Sequence, residues 1–499
     1  MPNKKSRSPF LKQCFVTTAV CFNIIGQGAS FGYPAVLLPA LKSKESLIPL
    51  SELKESWVAG MLPLSMLLGF LVTPPLMDKL GRRATHIILT VPSLVGWFLI
   101  IMATSVAEII IARFLQGVSV GILTILRSAL IGEYTSPKNR GAFLTTVSFS
   151  QAFGIFFVHL VGSVLSWQQT ALVCVLLQYI SLIMIMYTPE SPSWLLTQGR
   201  FDECRDVFHW LRGDEEDDEL NAMIKARIAF DKFRTGAIQT KNRFKSLSET
   251  IRKKEFYKPT ILMFHANVIQ QFSGGTTMAA FATVIISNLM GPKADVAFWM
   301  LFLDTQRITC NLIAVYIINN VKRRTMMFST FGLCIASHIA IAVYVLCRLK
   351  GWSYDAIWLP ALLVNLQYFS VATGTVPLPS IIAGEIFPLE YRSVCGTISL
   401  TFGGIFTFLV LKTFPGLMDT VGLHGTYFLY AIIMSLNLIV IWVLLPETKG
   451  KTLQEIEDEL RGKPLKLEEI EARLSLESNP VEIYKRRVSE RRCSSTLTI

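Results

Sequence analysis

Gly132-Glu133-Tyr134-Thr135-Ser136-Pro137, with Arg140-Gly141 just after it, returns later in the chain as Gly384-Glu385-Ile386-Phe387-Pro388 with Arg392-Ser393, an offset of 252 residues (384 − 132). Pro189-Glu190-Ser191-Pro192 returns as Pro446-Glu447-Thr448-Lys449, an offset of 257 (446 − 189). Asp78-Lys79-Leu80-Gly81-Arg82-Arg83 has a worn counterpart in Val321-Lys322-Arg323-Arg324. Each copy follows a long apolar segment, so the chain is a duplicated unit with charges at corresponding helix ends. Such a duplication points to a solute pathway between two halves and away from an enzyme site.

The composition agrees, with 51% hydrophobic and only 17% charged residues, too apolar for an ordinary soluble chain. Charge gathers in 190–258 and 446–499, and the net charge of +12 lies beside apolar spans. Membrane topology explains that placement, and nucleic acid is not expected as a partner. The nine cysteines are scattered singly, the pattern of small embedded side chains and not of a disulfide framework or a metal site.

A membrane-crossing helix needs about 20 apolar residues, and twelve stretches qualify, at about 14–38, 56–77, 84–104, 107–131, 142–164, 167–188, 259–288, 294–319, 325–349, 357–383, 394–416 and 422–445. The expected fold is all-α: twelve transmembrane helices in two pseudo-symmetric six-helix bundles. The division is 1–13 as an N-terminal segment, 14–188 as the first bundle, 189–258 as a linker with short helices, 259–445 as the second bundle and 446–499 as a tail. Short-loop Lys and Arg residues such as Lys79, Lys138 and Lys322 collect on the linker's side, which makes the linker and both termini cytosolic.

At this point the motifs resemble a family. Asp78-x-x-Gly81-Arg82-Arg83, Arg113-Phe114-Leu115-Gln116-Gly117, Gln270-Gln271-Phe272-Ser273-Gly274 and Pro446-Glu447-Thr448-Lys449-Gly450 join the repeated elements above. Together they are similar to the sugar porter family of the major facilitator superfamily over roughly residues 15–455. Lys412-Thr413-Phe414 and Leu423-His424-Gly425-Thr426 look most like its insect trehalose-transporter branch. The resemblance implies the major facilitator fold, alternating access, a sugar such as a hexose or trehalose as solute, no cofactor and no catalytic residues. It also implies an inner gate built from Asp78, Arg82, Arg83, Glu133, Arg140 and Glu190, with Arg323, Arg324, Glu385, Arg392 and Glu447 in the second half.

Opposite charges at such helix ends can pair between helices while that side is closed and separate when it opens. The second copy lacks the acidic residue and glycine of the first, so the latch is expected to be stronger in the first half. Polar residues within the spans face the interior or bond other helices. Ser148 and Gln151 in the fifth span, Gln270 and Gln271 in the seventh, and Gln367, Ser370, Thr373 and Thr375 in the tenth suit a polyhydroxylated solute. Gln270 and Gln271 resemble the family's sugar-contacting glutamines. Thr276 stands where the family has Asn, Ser380 where it has Trp, and Gly403-Gly404 where it has Asn-Trp.

Three charges lie inside spans: Arg127, Asp304 and Arg307. In one reading Asp304 and Arg307 pair internally and Arg127 is hydrated in the cavity. In the other, Arg127 and Arg307 make the cavity positive and select an anionic solute. His159 and His338 are expected to be packing residues. No acidic residue lies in the first span from Cys21 to Leu38, so passive movement is expected over proton coupling. Gln270, Gln271, Ser148 and Arg307 should border one central cavity. A transporter-shaped sensor that binds without flux is the alternative. In the tail, Ser489 and Ser494 follow paired arginines as kinase sites, and Leu497-Thr498-Ile499 can present a carboxyl end to a scaffold protein. The expected location is the plasma membrane.

Overall fold

The computed structural model describes residues 9–214, 216–236, 251–291, 294–352, 357–388, 391–451 and 453–462. The tail sites Ser489 and Ser494 and the carboxyl end lie outside the described residues, as do Lys4, Lys5 and Arg7. Every described regular element is helical. The first half holds α1 (Pro9–Gly32), α2 (Pro34–Lys42), α3 (Glu52–Leu80), α4 (Arg82–Met102), α5 (Val106–Tyr134), α6 (Pro137–Val164) and α7 (Trp167–Met186). The linker contributes α8 (Pro192–Thr197), α9 (Phe201–Arg212) and α10 (Asp217–Gly236). The second half holds α11 (Lys254–Phe272), α12 (Gly275–Met290), α13 (Val296–Asn320), α14 (Arg323–Leu349), α15 (Trp358–Ser370), a π turn (Val371–Thr375), α16 (Pro377–Ile386) and α17 (Arg392–Leu444), with α18 (Leu453–Arg461) after it.

Among the described residues, eleven helical stretches are long and apolar enough to cross a membrane. The last is a run of 53 residues broken at Gly422, where φ is +68°, a conformation open to glycine at little steric cost. Each side of the break is long enough to span, which gives twelve crossings. Local chemistry sets the starts. Ser105 and Glu108 form a reciprocal capping box on α5, and Ser166 and Gln169 another on α7, satisfying amides that have no partner within the helix. Pro137 opens α6 at a position that needs no amide donor.

Helices approach closely where side chains are absent. A Cβ on Gly154 would sit 2.1 Å from the Ile25 carbonyl oxygen, and one on Gly28 would sit 2.2 Å from that of Gln151, the small-residue contact typical of membrane helices. The surface that remains is apolar, with Leu71, Val164 and Ile439 more than 60% exposed, as expected of a belt facing lipid. Trp352, Trp358, Tyr187 and Tyr316 stand exposed near helix ends, where aromatic rings favour the bilayer interface.

The buried core is divided unequally. At the end away from the linker, Tyr33, Leu37 and Leu41 of the first half share one apolar cluster with Met278, Phe281, Phe414 and Tyr427 of the second. At the linker end the clusters are separate: Val16, Met77, Leu130 and Tyr134 belong to one, Phe256, Ile318, Phe387 and Ile441 to another. The halves are joined at the far end and parted at the linker end.

The linker is docked. Arg212 donates to the Thr135 carbonyl at 3.0 Å and pairs with Glu216 and Glu219, while Gln13 bridges the Leu211 carbonyl and the Ser136 amide. Each described cysteine is free. Cys204 on α9 is fully buried, and burial pushes its thiol up to about 11, since a thiolate loses its hydration there.

Candidate functional site

A cavity of about 440 Å³ lies between the halves. Three spans that border it are interrupted: the first between Gly32 and Pro34, the seventh at Ser273-Gly274 and the tenth at Val371–Thr375. Irregular backbone at membrane depth is tolerated where it is enclosed by protein or lines a wet cavity. Gly274 has φ +90°, the left-handed conformation that suits glycine. Gln367 donates to the carbonyl of Ser273 at 3.0 Å, holding this break.

Gln270, Gln271, Thr276, Gln151, Arg127, Arg307 and Ser380 all line the cavity. Thr276 donates to the Gln271 amide oxygen at 3.0 Å, and Arg127 reaches Gln151 at 3.4 Å. Ser148 does not join them. It lies one turn nearer the start of α6 than Gln151, is exposed, and is absent from the lining; helical periodicity gives the face of a residue, not its depth along the span. The polar residues of the tenth span also stay out of the lining: Gln367, Ser370, Thr373 and Thr375 are buried and bond neighbouring backbone.

Sequence reasoning missed several lining residues. Gln27 donates to Thr124 at 3.3 Å and leaves its carbonyl oxygen buried without a partner; two amides one turn apart in the apolar first span, Asn23 and Gln27, were the available signal. Phe31 and Phe70 bring aromatic faces from the first half. Gly404, where the resembled family has a tryptophan, explains Phe70: a Cβ there would meet Leu67 at 2.8 Å and the Phe70 ring at 3.3 Å. Phe387 adds an aromatic ring from the second half, so both halves contribute to the apolar wall. Among 32 phenylalanines nothing in the sequence marks Phe31 and Phe70.

The internal charges are arranged differently from the first expectation. Asp304 pairs with Nδ1 of His159 at 2.5 Å, both nearly inaccessible, and not with Arg307. Nε2 of that ring lies 3.2 Å from the carbonyls of both Gly32 and Ala279. Acceptors face both ring nitrogens, so the ring donates from both edges, tying the halves together. His159 is thus an ion-pair partner and not a mere packing residue. His338 does pack, against Tyr427, with Nδ1 at 2.8 Å from the Cys334 carbonyl. Arg307 extends into the cavity beside Tyr368, with one guanidinium nitrogen lacking a partner.

At the linker end the repeat becomes geometry. Arg82 donates to Glu133 at 2.8 and 2.9 Å, Glu190 accepts the amides of Arg82 and Arg83 at 2.8 and 3.1 Å, and Ser191 donates to Glu133. Arg323 donates to Glu385 at 3.1 Å, Glu447 accepts the amides of Arg323 and Arg324 at 3.0 and 3.2 Å, and Thr448 donates to Glu385 at 2.6 Å. Arg83 and Arg324 reach the carbonyls of Met186 and Trp442. The two networks share one plan but not one strength: Arg82 holds Glu133 through both Nε and Nη2, whereas Arg323 reaches Glu385 through Nε alone. This is the lopsidedness expected of the worn second copy, while backbone amides receive Glu447 without the missing Asp and Gly. These pairs also lie within one half and are intact while the linker end is parted, so opening does not break them. The Asp78 carboxylate is exposed and outside the network. Arg140 and Arg392 each keep a buried Nε without a partner, and Arg392 donates to the Gly384 carbonyl at 3.1 Å.

The sugar (and other) transporter family model matches residues 28–460. The facilitated trehalose transporter Tret1 of Bombyx mori is 28% identical over 450 residues, 90% of this chain and 86% of the relative. That of Apis mellifera ligustica is 27% identical over 92% of this chain and 90% of the relative. The Aedes aegypti protein is 26% identical, and the chain spans only 55% of its length. Among solved structures, the inward open xylose transporter XylE from E. coli aligns with a TM-score of 0.70 and 17% identity, covering 89% of this chain and 99% of that one. A crystal structure of a D-xylose-proton symporter gives 0.66, with 17% identity over 88% and 99%. The chain is therefore a multi-pass membrane protein with the major facilitator fold and belongs to the sugar (and other) transporter family.

Proposed function

We propose that the protein is a facilitative transporter that carries a sugar-like solute by alternating access, with no covalent chemistry on the solute. One observation carries the reading: a cavity lined by amides and hydroxyls of both halves, open toward the linker and sealed at the far end. Such side chains donate and accept at once, as a polyol requires. The similarity to trehalose transporters supports a hexose or trehalose as the solute. In this reading 14–188 and 259–445 are the moving bundles and 189–258 the linker. Gln270, Gln271, Thr276 and Gln151 contact the solute. Arg140 and Arg392 close the linker end against the carboxylate networks. By the lysine and arginine bias, the linker and both termini are cytosolic; with no acidic dileucine signal at the N-terminus, the membrane in this reading is the plasma membrane. Ser489 and Ser494 serve as tail phosphorylation sites.

Uptake of radiolabelled glucose and trehalose into proteoliposomes of the purified chain tests this. The expected result is saturable entry down the gradient that is indifferent to an imposed pH difference. Binding without flux would replace the carrier with a sensor; accumulation driven by a pH gradient would replace passive transport with symport.

A further inference from the structure

We propose that the solute of this cavity carries a negative charge: a hydroxylated carboxylate or phosphate, such as a sugar acid or a sugar phosphate. The inference rests on the carrier reading and refines its substrate class. The ionisable residues in the cavity wall are Arg127, Arg307 and Arg392, and the described lining contains no Asp or Glu. The nearest carboxylate by sequence on the same helix, Asp304, is already committed to His159 across the halves. Arg307 therefore lines the cavity without a carboxylate partner: it bonds the Tyr368 hydroxyl, and its buried Nη1 has no hydrogen-bond partner. Arg127 has one long bond, 3.4 Å, to a neutral amide.

An arginine is costly within a membrane unless it is paired or faces water, and a fork of five donors fits a carboxylate or phosphate better than a hydroxyl. Around these cations the wall is neutral and hydrogen-bonding: Gln151, Gln270, Gln271 and Thr276. Cations for one group and amides for the rest describe an anionic polyol. A neutral sugar would leave two guanidinium groups unanswered in a confined space, which selects against it.

The test uses the full chain in proteoliposomes with four labelled solutes: glucose, trehalose, glucuronate and glucose 6-phosphate. Glucuronate or glucose 6-phosphate should enter about tenfold faster than glucose at equal concentration, given the strength of charge-assisted hydrogen bonds. An inside-positive potential of about 60 mV set with potassium and valinomycin should raise equilibrium accumulation about tenfold per negative charge. Arg307→Gln should reduce anion entry about tenfold, and Arg307→Lys, which keeps the charge but loses the fork, should fall between that variant and the unmodified protein. The two anions separate a carboxylate site from a phosphate site. Glucose or trehalose entering as fast as either anion, insensitive to potential and to Arg307→Gln, overturns the inference and leaves the carrier reading intact. Movement of none of the four overturns both. Should Arg307→Gln fail to fold, the potential dependence of the unmodified protein decides alone.

Discussion

Glu133 accepts three guanidinium contacts, from Nε and Nη2 of Arg82, and one hydrogen bond from Ser191, so the network acts as a unit. Glu133→Gln and Arg82→Gln should each lower stability by about 1–3 kcal/mol, the cost of stranding a partner. The double variant should lose scarcely more than the worse single one. Thermal unfolding in detergent reads this cycle, and additive losses refute the coupling. The same cycle on Arg323 and Glu385 should show a smaller coupling, because Arg323 holds Glu385 through Nε alone. Inside the cavity, Gln271→Ala removes the acceptor for Thr276 and an amide facing the solute. Solute affinity should fall about tenfold with little change in melting temperature; an unchanged affinity with a lowered melting temperature would make Gln271 structural.

Among elements, the contact between α6 and α13 is the one to perturb. His159 on α6 and Asp304 on α13 form a buried pair joining the halves near the sealed end. Removing His159 strands a buried carboxylate, at a cost of about 3–5 kcal/mol to any state that keeps it enclosed. His159→Ala should therefore shift the population toward opening at the far end. Gly384 lies in the cavity wall with open space around its Cβ position. A cysteine placed there should be labelled more slowly from the linker side in the His159→Ala background, and labelling at an unchanged rate rejects the role. Asp304→Asn, which keeps a hydrogen bond to the ring, should shift the population less. This pair also marks the limit of reading by sequence. The repeat placed Glu133, Glu190, Glu385 and Glu447 because charge, offset and span order are all written along the chain. The twelve spans were legible for the same reason, including the two that Gly422 joins. His159 and Asp304 are 145 positions apart, and a histidine and an aspartate in separate spans carry no sign of each other. The depth of Ser148 and the packing of Phe70 against Gly404 are likewise products of the folded arrangement.

For the whole molecule, the division of the core predicts how it can be locked. Thr283 donates to the Ala35 carbonyl at 3.3 Å across the sealed end, and Lys412 reaches Ser56 at 2.7 Å and the Trp57 ring at 4.1 Å. Cysteines at Ala35 and Thr283, bridged by a disulfide or a short bifunctional reagent, should stop transport, and reductant should restore it after a disulfide. Flux that persists through complete cross-linking would show that this end need not part. Cys204, buried beneath the linker helices, should stay unmodified by a hydrophilic maleimide in that experiment.

The fused apolar seal has a kinetic corollary. The empty carrier rests facing one compartment, so a solute arriving there finds a vacancy, whereas one arriving opposite must wait for an uphill excursion. Half-saturation should then be reached at lower concentration from the linker compartment, with a compensating difference in maximal velocity, since a passive device cannot alter the final balance. Such rectification lets a cell retain or release its cargo unevenly with no energy source beyond the gradient itself.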